Sequence, residues 1–300
     1  MSKWLQHTIE LIIACLILIG VAVFFNTHQI KRGGHETTYH HFGTAREIAN
    51  RESTPTLYFH GLQGSAKSTN HLINVGAKTD GRKVMTINVE RNGQIKYQGS
   101  LNNQMHNPLV QVNFLDNVAP VKNQVKWTHQ ILLHLKARNH CSGYNAVAHS
   151  AGAVTVLETA DQFGNRGNVP KLYRFVSIGG PYDGVIGIND RINQNYLGPA
   201  GKPELERPAN RWYPSYAQLV RDSRHFPKKA RVLNVYGCIN PRLNSDQYVS
   251  TVSARSLRYL LRNRCSDYQE IRITGRYAQH SLLHHNSVVD RVVDRFIFNE

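Results

Sequence analysis

Tyr144-Asn145-Ala146-Val147-Ala148-His149-Ser150-Ala151-Gly152 joins a short apolar run to residues 151–163 (AGAVTVLETADQF), a stretch compatible with helix throughout. The run reads as a buried strand, so Ser150 falls on a strand-to-helix turn. Such a turn is sharp, and it needs small residues two positions either side of the serine because larger side chains would collide. Ala148 and Gly152 meet that need. Ser150 is therefore a candidate nucleophile, and the N–H of Ala151 opens the helix at its positive end, where donors favour a developing oxyanion. A serine here could equally be a plain helix N-cap; the rest of the chain weighs between the two.

Outward from this turn the pattern alternates. Residues 56–60 (TLYFH), 83–89 (KVMTINV), 173–178 (YRFVSI), 231–236 (RVLNVY) and 269–274 (QEIRIT) read as further buried strands. Residues 121–137 carry Val125, Ile131, Leu132 and Leu135 at helical spacing, and residues 288–298 repeat Val289, Val292, Val293 and Phe296. Strands that are continuously apolar and alternate with helices predict an α/β fold, with a mostly parallel sheet covered on both faces. Ligands in such folds gather where the strands end, so the residues just after strands carry the interest.

Four loops follow that rule. After TLYFH stands His60-Gly61-Leu62-Gln63-Gly64, whose glycines let the backbone fold toward the nucleophile. The Leu62 N–H is the candidate second oxyanion donor beside Ala151, although a His-Gly turn can also be a mere strand terminator. After RVLNVYG comes Asp246 in the loop NSDQYV, and after QEIRITG comes a loop with His280, His284 and His285. The order Ser, acid, His suits a triad of Ser150, Asp246 and His280. Asp183, one strand earlier, is the alternative acid, and His284 the alternative base. Asp246 alone could be a turn residue, and His284 with His285 could be loop residues before an N-cap at Asn286.

The intervening residues 181–229 are long for a crossover. They contain Trp212, Tyr213 and Tyr216 and read as a small cap insertion over the site, against the plainer alternative of a crossover helix with a long loop. No cofactor motif is evident. Sixteen histidines include no helical H-x-x-x-H with an acidic partner, so no metal is expected.

The N-terminus is different in kind. Residues 11–25 (LIIACLILIGVAVFF) hold no charge, and Trp4, Leu5 and Ile9 extend the apolar character. With Glu10 at headgroup level the segment is long enough to span a bilayer. Residues 1–30 therefore read as an uncleaved membrane anchor, in preference to a signal peptide, because no small-residue cleavage site follows Phe25. Lys3 on one side and Lys31 with Arg32 on the other leave its orientation open. Residues 31–53 are polar and rich in Gly, Thr and His, which reads as a linker, and residues 54–300 form the catalytic domain.

The whole chain has 300 residues, 41% hydrophobic and 19% charged, which excludes a disordered protein. A formal charge of +16 favours contact with anionic surfaces. The basic residues are scattered without aromatic interleaving, zinc-finger spacing or a basic helix, so nucleic acid is not an expected partner. Cys15, Cys141, Cys238 and Cys265 form no C-x-x-C pair; Cys238 and Cys265 read as two separate buried thiols rather than a bridge.

The blocks PTLYFHGLQGSAKSTNHLI, AVAHSAGAV, FVSIGGPYDGV, VLNVYG with NSDQYVSTVSARSL, and HSLLHHNSVVDRVVDRFI, in that order, resemble the membrane-anchored cell-surface α/β hydrolases of Gram-positive bacteria, a lipase-like family. The resemblance runs from about residue 55 to residue 298. It implies an α/β-hydrolase fold, the triad Ser150, Asp246 and His280, the donors Leu62 and Ala151, and a catalytic domain outside the cell. The triad chemistry implies a small-molecule or lipid acyl ester as substrate, and the basic exterior adds anionic cell-surface polymers as further expected partners. HGLQG stands where the family usually has HGxGG, Gln247 where a glycine is typical, and Ala153 where a further glycine often lies. The competing function is a non-catalytic protein that keeps the fold and holds anionic wall or membrane polymers on its basic exterior.

Overall fold

The computed structural model describes residues 35–42 and 53–298. The apolar segment 11–25, with the anchor read into it, lies outside the described residues; among those described, no helix is long and apolar enough to cross a membrane.

Nine strands form one sheet: β1 (His35–Phe42), β2 (Thr56–Phe59), β3 (Arg82–Val89), β4 (Ile95–Gly99), β5 (Pro108–Phe114), β6 (Gly143–His149), β7 (Lys171–Ile178), β8 (Arg231–Cys238) and β9 (Asp267–Thr274). Their order is β1-β9-β8-β7-β6-β2-β5-β3-β4. The seven inner strands are parallel; only β1 on β9 and β4 on β3 run antiparallel, at the two edges. The main helices are α1 (Ala66–Thr79), α2 (Val121–Arg138), α3 (Ala151–Phe163), α4 (Tyr216–Asp222), α5 (Thr251–Arg255), α6 (Leu257–Leu261) and α7 (Ser287–Phe298).

Each inner strand feeds two cores because its side chains alternate faces. Leu57 and Phe59 pack with α2, α3 and α6 on one face, while Tyr58 between them packs with α1 and α7 on the other. In α7 the buried Val289, Val293, Phe296 and Ile297 recur at three- and four-residue spacing, which makes one apolar stripe. Burying each such side chain contributes about 2 kcal/mol. The two helices on that face are also tied by polar contacts, His71 Nε2 to the Asp290 carboxylate at 2.9 Å and Thr79 Oγ1 donating to Asp294.

The structure adds to the sequence reading the strands β1, β4 and β5 and the helix α1. Part of the expected linker, residues 35–42, forms the edge strand β1, paired with β9 from His35 opposite Thr274 to Phe42 opposite Tyr268. A lone edge strand needs main-chain partners more than an apolar face, so a polar composition conceals it. The strand β5 (PLVQVNF) also escapes an apolar-run criterion because Gln111 and Asn113 interrupt it, yet every residue of it is buried. Gln111 is satisfied in the interior: its amide donates to Ala66 O, Thr69 Oγ1 and Asn70 Oδ1, and its carbonyl accepts from Lys83 Nζ at 2.7 Å. Asn113 donates to Asn88 at 2.9 Å.

Candidate active site

Ser150 sits between the end of β6 and the start of α3 with φ 55° and ψ −124°. L-residues are disfavoured at positive φ, so this turn is strained by about 1–3 kcal/mol. Local packing imposes it. Ser150 N–H donates to Ile178 O at 2.9 Å, and its carbonyl accepts from Ala153 N at 2.9 Å. The small neighbours are required: a Cβ on Gly152 would lie 2.6 Å from the His60 carbonyl, and one on Gly61 would lie 2.7 Å from Ser150 Cβ.

The ring of His280 connects two partners separated widely in sequence. Its Nε2 is 2.9 Å from Ser150 Oγ, and its Nδ1 is 2.7 Å from Asp246 Oδ2. A carboxylate only accepts, so Nδ1 carries the proton and Nε2 offers its lone pair to the serine O–H. Asp246 is buried, and its second oxygen, Oδ1, accepts from the amides of Tyr248 and Val249 at 3.0 and 2.7 Å. The carboxylate is thereby aimed and solvated by the protein.

The turn around Gly61 is held from several sides. His60 Nε2 accepts from Phe114 N at 3.0 Å, which leaves the proton on Nδ1 to donate to Gly61 O at 2.8 Å. Burial lowers its pKa, which keeps this neutral form. Gln63 N donates to Asn117 O, and Asn117 Nδ2 to Gly64 O. The amides of Leu62 and Ala151 donate to no acceptor in these described turns, which leaves both N–H groups available to a ligand.

Two glutamines in the site loops occupy special backbone positions. Gln63 has φ 58° and Gln247 has φ 97°, the region where glycine is favoured. Gln247 is steadied by its amide nitrogen donating to Ser245 Oγ and by its side-chain oxygen accepting from Gln279 Nε2 at 3.1 Å.

The alternative acid and base lie elsewhere in the network. Asp183 accepts from Asn195 Nδ2 and Arg207 N, both at 2.8 Å, so it braces the segment 181–229 and not an imidazole. Burial pushes its carboxyl up to about 7. His284 packs edge-on against His149, with ring centroids 4.7 Å apart, and its buried Nδ1 has no hydrogen-bond partner. Burial and the neighbouring His285 and His280 lower its pKa to about 4.

Two contributors were not singled out for the site from sequence. His149 Nε2 donates to the carbonyl of His280 at 3.1 Å; its place inside the serine turn was the available signal. Burial, then the nearby His280 and His284, push its pKa far down, so it is neutral. Tyr213, named only as a residue of the insertion, is buried, and burial pushes its phenol pKa up while the neighbouring Ser150 opposes that push. Trp212 anchors that segment by accepting Val121 N–H at its carbonyl, whereas Tyr216 turns away and donates to Ser256 O.

Among the described residues, no cluster of three or more His, Cys, Asp or Glu is arranged to hold a metal ion. Cys141, Cys238 and Cys265 are free thiols.

The parallel sheet, the strand-to-helix serine turn and the helices on both faces define an α/β-hydrolase fold. Residues 44–300 match the family described as "Alpha/beta hydrolase of unknown function (DUF915)", and the chain belongs to that family. Two solved structures are similar. The product of gene lin2722 of Listeria innocua has TM-score 0.71 at 21% identity, covering 82% of this chain and 94% of that one. A protein of Lactobacillus plantarum WCFS1, provisionally described as a cell surface hydrolase, has TM-score 0.63 at 18% identity, covering 83% and 93%. At these identities the likeness speaks to the fold. No curated protein matches the sequence.

Proposed function

We propose that this hydrolase cleaves carboxylic (acyl) esters by a serine mechanism, with Ser150 as nucleophile, His280 as general base and Asp246 as the orienting acid. The observation that carries the reading is the single imidazole of His280, hydrogen-bonded at once to Ser150 Oγ and Asp246 Oδ2. As Ser150 Oγ attacks the ester carbonyl, its proton passes to His280 Nε2, and the Asp246 carboxylate stabilises the imidazolium. The N–H groups of Leu62 and Ala151 receive the oxyanion, a contribution of about 3 kcal/mol per donor in sites of this kind. His280 then returns the proton to the leaving alkoxide. Water attacks the acyl-enzyme by the same steps, freeing the acid and restoring Ser150.

In this proposal residues 11–25 tether the domain to the cell membrane, with the catalytic domain outside, and residues 181–229 cover the acyl site through Tyr213. The test is labelling by a fluorophosphonate probe, combined with hydrolysis of p-nitrophenyl esters of increasing chain length. Wild type should be labelled and active, and Ser150→Ala should be neither. A folded wild type that reacts with no probe and no ester would overturn the reading and favour a binding role on the same fold.

A further inference from the structure

Seven large hydrophobic side chains are exposed among the described residues: Leu115, Val118, Ile188, Ile192, Tyr196, Leu205 and Leu243. Isolated exposed apolar residues are ordinary, but their distribution here is one-sided. Leu115 and Val118 leave the C-terminal end of β5, Ile188 to Leu205 follow β7, and Leu243 follows β8. All seven lie at the C-terminal edge of the parallel strands, the same edge from which the Gly61 turn leaves β2, Ser150 leaves β6 and the Asp246 loop leaves β8. The opposite edge, including the α2–β6, α3–β7 and α6–β9 connections, carries none of the seven.

Hydrogen bonds bring together two pairs within this set. Asn193 Nδ2 donates to Arg242 O at 2.8 Å and Asn244 Nδ2 donates to Asn193 Oδ1 at 3.0 Å, which brings Ile192 beside Leu243. Glu204 N donates to Tyr196 O and Leu205 N to Asn195 Oδ1, which brings Leu205 beside Tyr196. The exposed arginines Arg191 and Arg242 stand next to Ile192 and Leu243 in the chain, and the charge of Glu206 is met by Lys202 at 2.8 Å. Asp116 and Glu204 stand beside Leu115 and Leu205, but at Ile192 and Leu243 the apolar side chains have exposed cations as neighbours; on a chain of net charge +16 that pairing complements an anionic lipid surface, the alkyl groups entering the acyl boundary while the guanidinium groups meet headgroup phosphates.

We infer that the catalytic edge of this protein docks face-on onto an anionic lipid bilayer, so that the ester it cleaves is drawn from a lipid in that surface. The inference rests on the proposed ester hydrolysis for its substrate but not for the docking, and the experiment separates the two. The full chain, with Cys15→Ala, is reconstituted into vesicles of phosphatidylcholine with or without phosphatidylglycerol. An environment-sensitive dye is attached at Leu243→Cys, or at Gly167→Cys on the opposite edge, with unsubstituted protein as the labelling blank. Lipids with brominated acyl chains should quench the dye at position 243, more strongly when phosphatidylglycerol is present, and leave the dye at position 167 unquenched. No quenching at 243, or equal quenching at both positions, overturns the docking; equal quenching without phosphatidylglycerol overturns the demand for an anionic surface.

In the second arm, Ile192→Ser with Leu243→Ser should lower hydrolysis of a vesicle-borne ester by roughly tenfold, with a short soluble ester cleaved as by wild type. Equal rates on the vesicle ester overturn the inference. A wild type that cleaves neither ester defeats the proposed reaction, while the quenching still decides the docking.

Discussion

His149 donates its Nε2–H to the main-chain carbonyl of His280, so the residue just before the serine holds the peptide of the imidazole that faces it. The N–H of His280 is fixed as well, donating to Asp246 O at 2.9 Å. Both main-chain groups of His280 are therefore tied, its carbonyl to the neighbour of Ser150 and its N–H to Asp246. His149→Phe keeps the ring's volume and removes the donor, and kcat should fall about tenfold or more as the base loses its alignment. His149→Gln, which restores a donor, should recover most of that loss. A purely packing role predicts the reverse ranking, so kcat for the two variants, measured with Tm, decides.

The two aspartates should behave oppositely. Asp246→Asn leaves the site's shape intact but removes the carboxylate that fixes the tautomer and stabilises the imidazolium, so kcat should drop by about 10⁴. Asp183→Asn acts on Asn195 and Arg207, away from the imidazole, and should alter Tm or KM while kcat on a small ester stays near wild type. A large kcat loss in Asp183→Asn alone would reverse the assignment of the acid.

Gly61→Ala introduces a Cβ that meets Ser150 Cβ at 2.7 Å. The turn bearing Leu62 must retreat from the serine, which costs one oxyanion donor. Esterase activity should fall by about 10² to 10³ while fluorophosphonate labelling, which needs the nucleophile and base, is slowed but retained. Unchanged ester turnover would show that the Leu62 amide takes no part.

Glu158 on α3 is pushed from 4.5 up to about 7, first by burial and then by the Asp222 carboxylate. The folded chain therefore keeps a proton that the unfolded chain releases. The resulting stability is complete below the unfolded value and is lost as pH rises through about 7. Glu158→Gln cannot ionise, so between about pH 5 and pH 8 its Tm should fall less than that of wild type, by roughly 5 °C. Equal slopes would mean that the carboxyl is not held protonated in the native state.

Much of the fold was legible because its inner strands are rich in apolar residues, buried on both faces in β2 and β8 and on alternate positions in β3: the runs at residues 56–60, 83–89 and 231–236 coincide with β2, β3 and β8 to within two residues at their ends. What escaped is physically explicable. The β1 pairing is a main-chain matter with little demand on side chains, and β5 hides a glutamine whose every polar atom finds a partner only in three dimensions. At the candidate site, the meeting of Ser150, Asp246 and His280 was legible because each follows a strand end at the same edge of the sheet. The role of His149 was not, since it depends on a contact spanning 131 residues that no local pattern encodes. The strained positions of Gln63 and Gln247 were signalled only indirectly, as glutamines standing where glycine would be easier.

The torsion angles at Ser150 carry one more implication. A chain selected only to fold would relieve them with a residue lacking a side chain, and Ser150→Gly is expected to melt higher than wild type while hydrolysing nothing. The hydroxymethyl group is thus a burden that the scaffold sustains, and the tight cluster of Ala151, Gly152 and Ala153 behind it is the architecture that keeps the burden from being shed.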